Sequence, residues 1–257
     1  MPSLTPTMKI PLLLAVAAGA HITMTPPNPP PAEADQLKPT GFERAGAPRM
    51  FPLLLKVGRL AHGVVHGLFW TCGLTEVALL AADTTIVDSL SPHFVAQLRY
   101  YLDPTHGRGL RNLAFTSPFL IGTLLNVAGT ALRLHCYARL RRFFTFELGV
   151  QAKQRLVTDG VYGIVRHPSY TGALAAGTGV ALATLSRGSW VAECLLPAIF
   201  RDTKKPLTTI WVAGMTLACV GLRSRMIKED RMLRDSFGQE WDEWAQRVNW
   251  WIVPGVY

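Results

Sequence analysis

Four stretches of this chain, residues 58–82, 114–137, 168–186 and 207–223, approach or reach the ~20 mostly apolar residues that a helix needs to cross a bilayer. That constrains the fold more than anything else in the sequence, because a backbone inside hydrocarbon must satisfy its own polar groups and a helix does so within one segment. Composition agrees: 49% of the 257 residues are hydrophobic and 17% charged, too apolar for an ordinary soluble domain. A further run, Ile10 to Met24, is shorter and contains Pro11 and His21. Lys9 before it and Ala18-Gly19-Ala20 near its end fit a cleaved signal peptide, while its continuation through Ile22 and Met24 favours a retained membrane helix.

The segments between these runs have distinct characters. Residues 25–50 carry Pro26, Pro27, Pro29, Pro30 and Pro31 and then scattered charges, the composition of a polyproline-type linker without a core of its own. Residues 189–200 are apolar but too short to span, and Glu193 and Pro197 interrupt them, so an interfacial or re-entrant piece is expected there. From Leu222 onward Met226, Leu233, Phe237, Trp241, Trp244 and Val248 keep one apolar face against Arg225, Glu229, Arg231, Glu240 and Asp242. This is an amphipathic helix broken near Gly238, expected to lie against the membrane.

The formal net charge is +9, but the basic residues flank the apolar runs instead of forming a separate basic patch, which fits membrane anchors and argues against nucleic acid. Arg139, Arg141, Arg142, Lys153, Arg155 and Arg166 fall within 138–167, and the tail is also Arg-rich. Both are therefore assigned to the cytosol, which requires 168–186 and 207–223 each to cross once. The expected fold is all-α: a polytopic integral membrane protein with about five transmembrane helices, a short re-entrant or interfacial segment, and a C-terminal amphipathic cytosolic helix. Its regions are residues 1–57 (helix and Pro-rich linker), 58–137 (transmembrane helices) and 138–257 (the region carrying the motifs).

Cys72, Cys136, Cys194 and Cys219 stand singly, with no pair at zinc or disulfide spacing, and are expected to be buried thiols. His62 and His66 share a helical face without an acidic partner, so helix packing or an interfacial role is favoured over a metal. Two charges lie inside apolar runs. Glu76 is the costlier, as a functional carboxylate or a hydrogen-bonded one, and Arg133 is expected to snorkel toward the interface.

The densest polarity lies between two apolar runs: Leu156-Val157-Thr158-Asp159-Gly160-Val161-Tyr162, then Arg166-His167-Pro168-Ser169-Tyr170-Thr171-Gly172. Pro168 suits a helix first turn, and Arg166 and Tyr170 suit an interface. Downstream, Arg225 and Glu229 lie four apart, on one helical face, where they can complete a pocket with residues 154–172.

These two motifs, with Phe144-Thr145-Phe146 before the first and Leu233, Phe237-Gly238, Glu240-Trp241 and Val248 after the second, resemble the isoprenylcysteine carboxyl methyltransferases and related membrane phospholipid methyltransferases. The resemblance covers about residues 114–257. Departures are Asp230 where a second Glu is common, the ending Trp250-Trp251-Ile252-Val253-Pro254, and an apparent insertion at 187–206. It implies S-adenosyl-L-methionine as methyl donor, with cofactor-binding residues Gln154, Leu156, Val157, Tyr162, His167, Pro168, Ser169, Tyr170 and Glu229. Gly177-Thr178-Gly179 lacks the third glycine of a soluble dinucleotide fold. It further implies a prenylated cysteine carboxylate as acceptor, with Arg225 binding it and Arg225 and Glu229 at the catalytic centre. The partners implied are prenylated CaaX-type proteins after proteolytic trimming and membrane lipid, and the location is the endoplasmic reticulum with the site facing the cytosol. The alternatives are a phospholipid amine N-methyltransferase, in which Glu229 or Asp230 acts as base or relay, and a non-enzymatic membrane scaffold.

Overall fold

The computed structural model describes residues 8–36, 51–82, 91–199 and 205–256. Its elements are helical: α1 (Lys9–Met24), α2 (Phe51–Ala81), α3 (Pro92–Leu102), α4 (Ser117–Leu140), α5 (Pro168–Leu185), α6 (Lys205–Phe237) and α7 (Gln239–Arg247), with short 3-10 turns between them. Among the described residues two helical stretches, Gly63–Ala81 and Ser117–Phe143, are long and apolar enough to cross a membrane. α5 begins at Pro168 as expected and is rich in small Ala, Gly and Thr residues.

The chain divides into two compact units. One comprises residues 1–23, 66–130 and 174–212. Leu13, Val16 and Ala20 of α1, Leu79 and Leu80 of α2, Phe119 of α4 and Val180 and Ala183 of α5 form its core. Small residues let the helices approach: a Cβ on Gly122 would lie 2.7 Å from the carbonyl oxygen of Gly179, so α4 and α5 meet backbone to backbone. Buried Asn126 donates to the Ala176 carbonyl at 3.3 Å across the same contact.

Glu76 is buried in this unit as half of an ion pair with Lys9, itself fully buried. The Lys9 ammonium also donates to the Gly188 carbonyl at 2.7 Å, and the second Glu76 oxygen accepts from the Trp190 N–H at 2.9 Å. Such pairing and hydrogen bonding is what a buried charge requires. It ties the piece expected to be interfacial into the core: Val191–Leu195 form a π-helical turn continued by Leu196–Ile199, with Trp190, Val191 and Cys194 buried. His21 and His66 pack ring to ring at 5.0 Å, and the His62 side chain lies outside the described residues.

The other unit comprises residues 24–65, 131–173 and 213–257. Cys136, Phe144, Tyr162, Trp244 and Val248 form its buried cluster. Three expectations are corrected here. The Pro-rich stretch is not a free linker as far as Gln36: Asn28 donates to the carbonyls of Arg141 and Phe144 at 2.8 and 2.9 Å, and Gln36 pairs with Gly149; residues 37–50 lie outside the described residues. The helix breaks at Gly238, whose φ of +55° suits glycine, but the apolar face of α7 packs into protein, with Trp244 2% exposed. Arg133 does not snorkel; it is 5% exposed and held inside the unit. A fourth correction concerns the thiols: Cys136 and Cys194 are buried, Cys72 is half-buried and Cys219, on α6, is exposed.

Candidate functional site

The second unit encloses a cavity of about 290 Å³. Gln154, Leu156, Val157, Tyr162, His167, Pro168, Ser169, Tyr170, Arg225 and Glu229 all line it. Residues more than fifty positions apart thus share one chamber, walled on its apolar side by Phe144, Phe146, Leu233 and Phe237.

Local structure explains how each polar group is presented. Gly160 takes a φ of +59°, which starts the short turn Gly160–Gly163 and sends Tyr162 inward. Tyr162 is buried, its carbonyl accepts from the Trp244 indole N–H at 3.0 Å, and burial pushes its hydroxyl well above the usual tyrosine range. Outside the cavity Asp159 pairs with Arg139, whose hydrogen bond holds the Asp159 carboxyl below the ordinary range. Pro168 opens α5, where a missing N–H costs nothing. The two preceding N–H groups are not lost either: Arg166 N donates to the Trp250 carbonyl at 2.9 Å and His167 N to the Trp251 carbonyl at 2.8 Å. The Thr171 hydroxyl reaches the Ile252 carbonyl at 2.7 Å. The C-terminal segment is therefore a strap across the start of α5.

Two polar chains cross the site. In the first, Arg225 Nε donates to the Tyr170 hydroxyl at 2.6 Å, and that hydroxyl donates to Glu229 Oε2 at 2.7 Å. Arg225 also donates through its second amino group to the Phe146 carbonyl. A cation and an anion on successive turns of α6 are thus bridged by one phenol from α5. In the second, Asp230 stands between His167 Nε2 at 3.0 Å and Arg166 Nη1 at 2.9 Å. Burial pulls the Arg166 guanidinium below its ordinary value, against the attraction of Asp230. His167 Nδ1 lies 3.9 Å from Glu229 Oε2, so the imidazole is flanked by carboxylates on both sides.

The arrangement offers a largely apolar chamber, a guanidinium able to fork onto a carboxylate, and a carboxylate and aromatic rings suited to a cationic centre. Sequence reasoning missed three participants. Asp230 contacts both His167 and Arg166; the sequence marks it as a departure from the family pattern and as a base or relay in the amine alternative, not as a partner of these two side chains. The strap at Trp250–Ile252 acts through backbone carbonyls, which no residue type advertises. Arg133 also lines the cavity; a charge in an apolar run was visible, but its direction was not.

A family model described as phospholipid methyltransferase matches residues 118–203. Protein-S-isoprenylcysteine O-methyltransferase B of Arabidopsis thaliana is 27% identical over 184 residues, covering 68% of this chain and 82% of that protein. The probable protein-S-isoprenylcysteine O-methyltransferase of Oryza sativa subsp. indica is 29% identical over 134 residues, 50% of this chain and 58% of that one. A Delta(14)-sterol reductase of Septoria lycopersici is 29% identical over 112 residues, which is 40% of this chain and 21% of the reductase.

Proposed function

We propose, from the premise that the chain belongs with the isoprenylcysteine carboxyl methyltransferases and their phospholipid-methyltransferase relatives, that it methylates the C-terminal carboxylate of a prenylated cysteine. Membership makes it a membrane methyltransferase; the acceptor and the donor, S-adenosyl-L-methionine, are our reading. The observation that carries it is the Arg225–Tyr170–Glu229 bridge on the wall of an apolar cavity.

The residues fit the donor: Glu229 supplies negative charge, Tyr162, Tyr170 and Phe146 supply rings, and His167 and Ser169 supply polar atoms around one chamber. When bound, the donor supplies a sulfonium-activated methyl; the carboxylate oxygen gains the methyl while the C–S electron pair stays on sulfur as a neutral thioether. An α-carboxyl, with an ordinary pKa of ~3.3–3.7, is already ionised at neutral pH and needs no general base. The work left to the protein is placement and dehydration. Arg225 pins the carboxylate through its fork and offsets the cost of bringing that charge out of water. Tyr170, hydrogen-bonded to both Arg225 and Glu229, fixes the two side chains relative to each other. His167, flanked by Glu229 and Asp230, orients the donor side of the chamber. The apolar wall of Phe144, Phe146, Leu233 and Phe237 excludes water and accepts the start of a prenyl chain.

The setting completes the proposal. A polytopic protein with about five crossings, in the endoplasmic reticulum with its site toward the cytosol, would meet prenylated CaaX-type proteins after their trimming, with the prenyl tail in membrane lipid. The second reading is a phospholipid amine N-methyltransferase, favoured by the description of the matching family model. Membranes containing the protein, given labelled donor with a farnesylated cysteine analogue and phosphatidylethanolamine, separate the two. Label in a base-labile ester of the cysteine analogue is expected, and label found only in the phospholipid overturns the reading.

A further inference from the structure

Arg133 is the most heavily buried arginine of the cavity, and among the described residues its hydrogen bonds all go to neutral groups. It projects from α4, is 5% exposed, and lines the same chamber as Ser169, Tyr170 and Glu229. Its Nε donates to the Tyr137 hydroxyl at 3.0 Å, and its Nη1 donates to both the carbonyl and the hydroxyl of Ser169 at 3.1 Å. Rings of Tyr137 and Phe146 lie 5.4 Å from the guanidinium carbon and that of Phe144 at 5.9 Å. Among the described residues no carboxylate comes within 4 Å of it. Two other cations with largely buried side chains are paired with carboxylates, Arg166 with Asp230 and Lys9 with Glu76.

A guanidinium cannot shed its proton at accessible pH, and an isolated buried charge is expensive unless an opposite charge meets it. Aromatic faces and neutral oxygens offset part of that cost. The remainder is relieved by an anion entering the cavity, and a planar carboxylate matches the fork. Two carboxylates enter the reaction proposed above, one on the amino-acid part of the donor and one on the acceptor. Of the four arginines that line the cavity, Arg166 is paired with Asp230 and Arg155 is exposed; the other two belong to different polar chains, Arg225 joining Tyr170 and Glu229, and Arg133 joining Ser169 in the first turn of α5.

Resting on that proposed reaction, we infer that Arg133 is the partner of the donor's α-carboxylate, which leaves Arg225 for the carboxylate of the acceptor. With both in place each of these two guanidinia faces a ligand carboxylate. A lipid ammonium entering the same chamber would add a third positive ligand centre to the donor's sulfonium and ammonium and leave Arg225 facing no carboxylate, so with Arg133 occupied by the donor the chamber favours an anionic acceptor.

Calorimetry on the purified full chain in lipid nanodiscs tests this with S-adenosylmethionine and its decarboxylated counterpart, which keeps the sulfonium and ammonium and lacks only the carboxylate. The wild-type protein is expected to prefer the carboxylated ligand by roughly 10-fold to 100-fold, the worth of a hydrogen bond to a charged group. Arg133→Met should bring the two affinities to near parity by weakening only the carboxylated ligand, and Arg133→Lys, which keeps the charge and its packing, should retain part of the preference. Arg225→Ala should keep all of it. A preference that survives in Arg133→Met, or that vanishes in Arg225→Ala, overturns the assignment, as does a loss in Arg133→Lys that is equal for the two ligands. If the wild-type chain binds neither ligand, the donor reading itself fails and takes the inference with it.

Discussion

At the scale of single residues, the site pairs most of its charges within the protein and leaves Arg133 with neutral partners. Arg225 and Glu229 sit one helical turn apart, and the Tyr170 hydroxyl bonds both. Arg225→Ala is therefore expected to lower kcat/KM by roughly 30-fold or more, from the ~2 kcal/mol or greater cost of removing one partner from a buried charged contact, while donor affinity changes little. Equal losses in turnover and donor affinity, measured by kinetics and calorimetry on the same preparation, would contradict that division of labour. His167→Ala should do the opposite and weaken donor binding itself. The acceptor's charge also has a pH signature: a carboxylate stays ionised from about pH 6 to 9, so the rate should be flat there, whereas an amine acceptor must lose a proton first and its rate should climb. Tyr162 adds no limb to this profile, because burial raises its hydroxyl and keeps it protonated.

Among the elements, the C-terminal strap and the α4–α5 contact make separate predictions. Carbonyls of Trp250, Trp251 and Ile252 take up the N–H groups of Arg166 and His167 and the Thr171 hydroxyl. Deleting residues 249–257 should abolish donor binding, whereas deleting 254–257 should preserve it; retention of binding in the longer deletion would show that the strap does not hold the site. Gly179→Leu forces a side chain against the α4 backbone and should lower stability by about 1–3 kcal/mol, read as an earlier thermal transition in detergent.

The contrast between what was legible and what was not follows the range of each interaction. The start of α5 at Pro168 and the break at Gly238 were readable because they depend on the backbone preferences of one residue. Arg133 was misread because its neighbours, Ser169 and Phe146, lie far along the chain. The strap was invisible because carbonyls carry no identity, and the aromatic face of α7 suited a membrane surface as well as the Tyr162–Trp244 cluster it joins.

For the whole molecule, apolar helices carry a polar site at which the motif residues of 154–170 meet Arg225 and Glu229 in one compact unit. A methyltransferase has reason to be built this way when its acceptor bears a hydrocarbon chain, since the apolar wall excludes water and the chain keeps its lipid surroundings. The buried Lys9–Glu76 pair belongs to the other unit and is a matter of stability. Lys9→Met alone should destabilise by about 3–5 kcal/mol by stranding Glu76, and Lys9→Met with Glu76→Leu should recover most of that loss; a double variant no more stable than the single would contradict the pairing. The claim that joins residues, elements and membrane is that the cavity takes a carboxylate. Its most direct test is methyl transfer from labelled S-adenosylmethionine to N-acetyl-S-farnesylcysteine and, in parallel, to the same compound with its carboxyl group replaced by a carboxamide. The account predicts label in the first as a base-labile ester and none in the second; equal label in both, or label confined to membrane phospholipid, would contradict it.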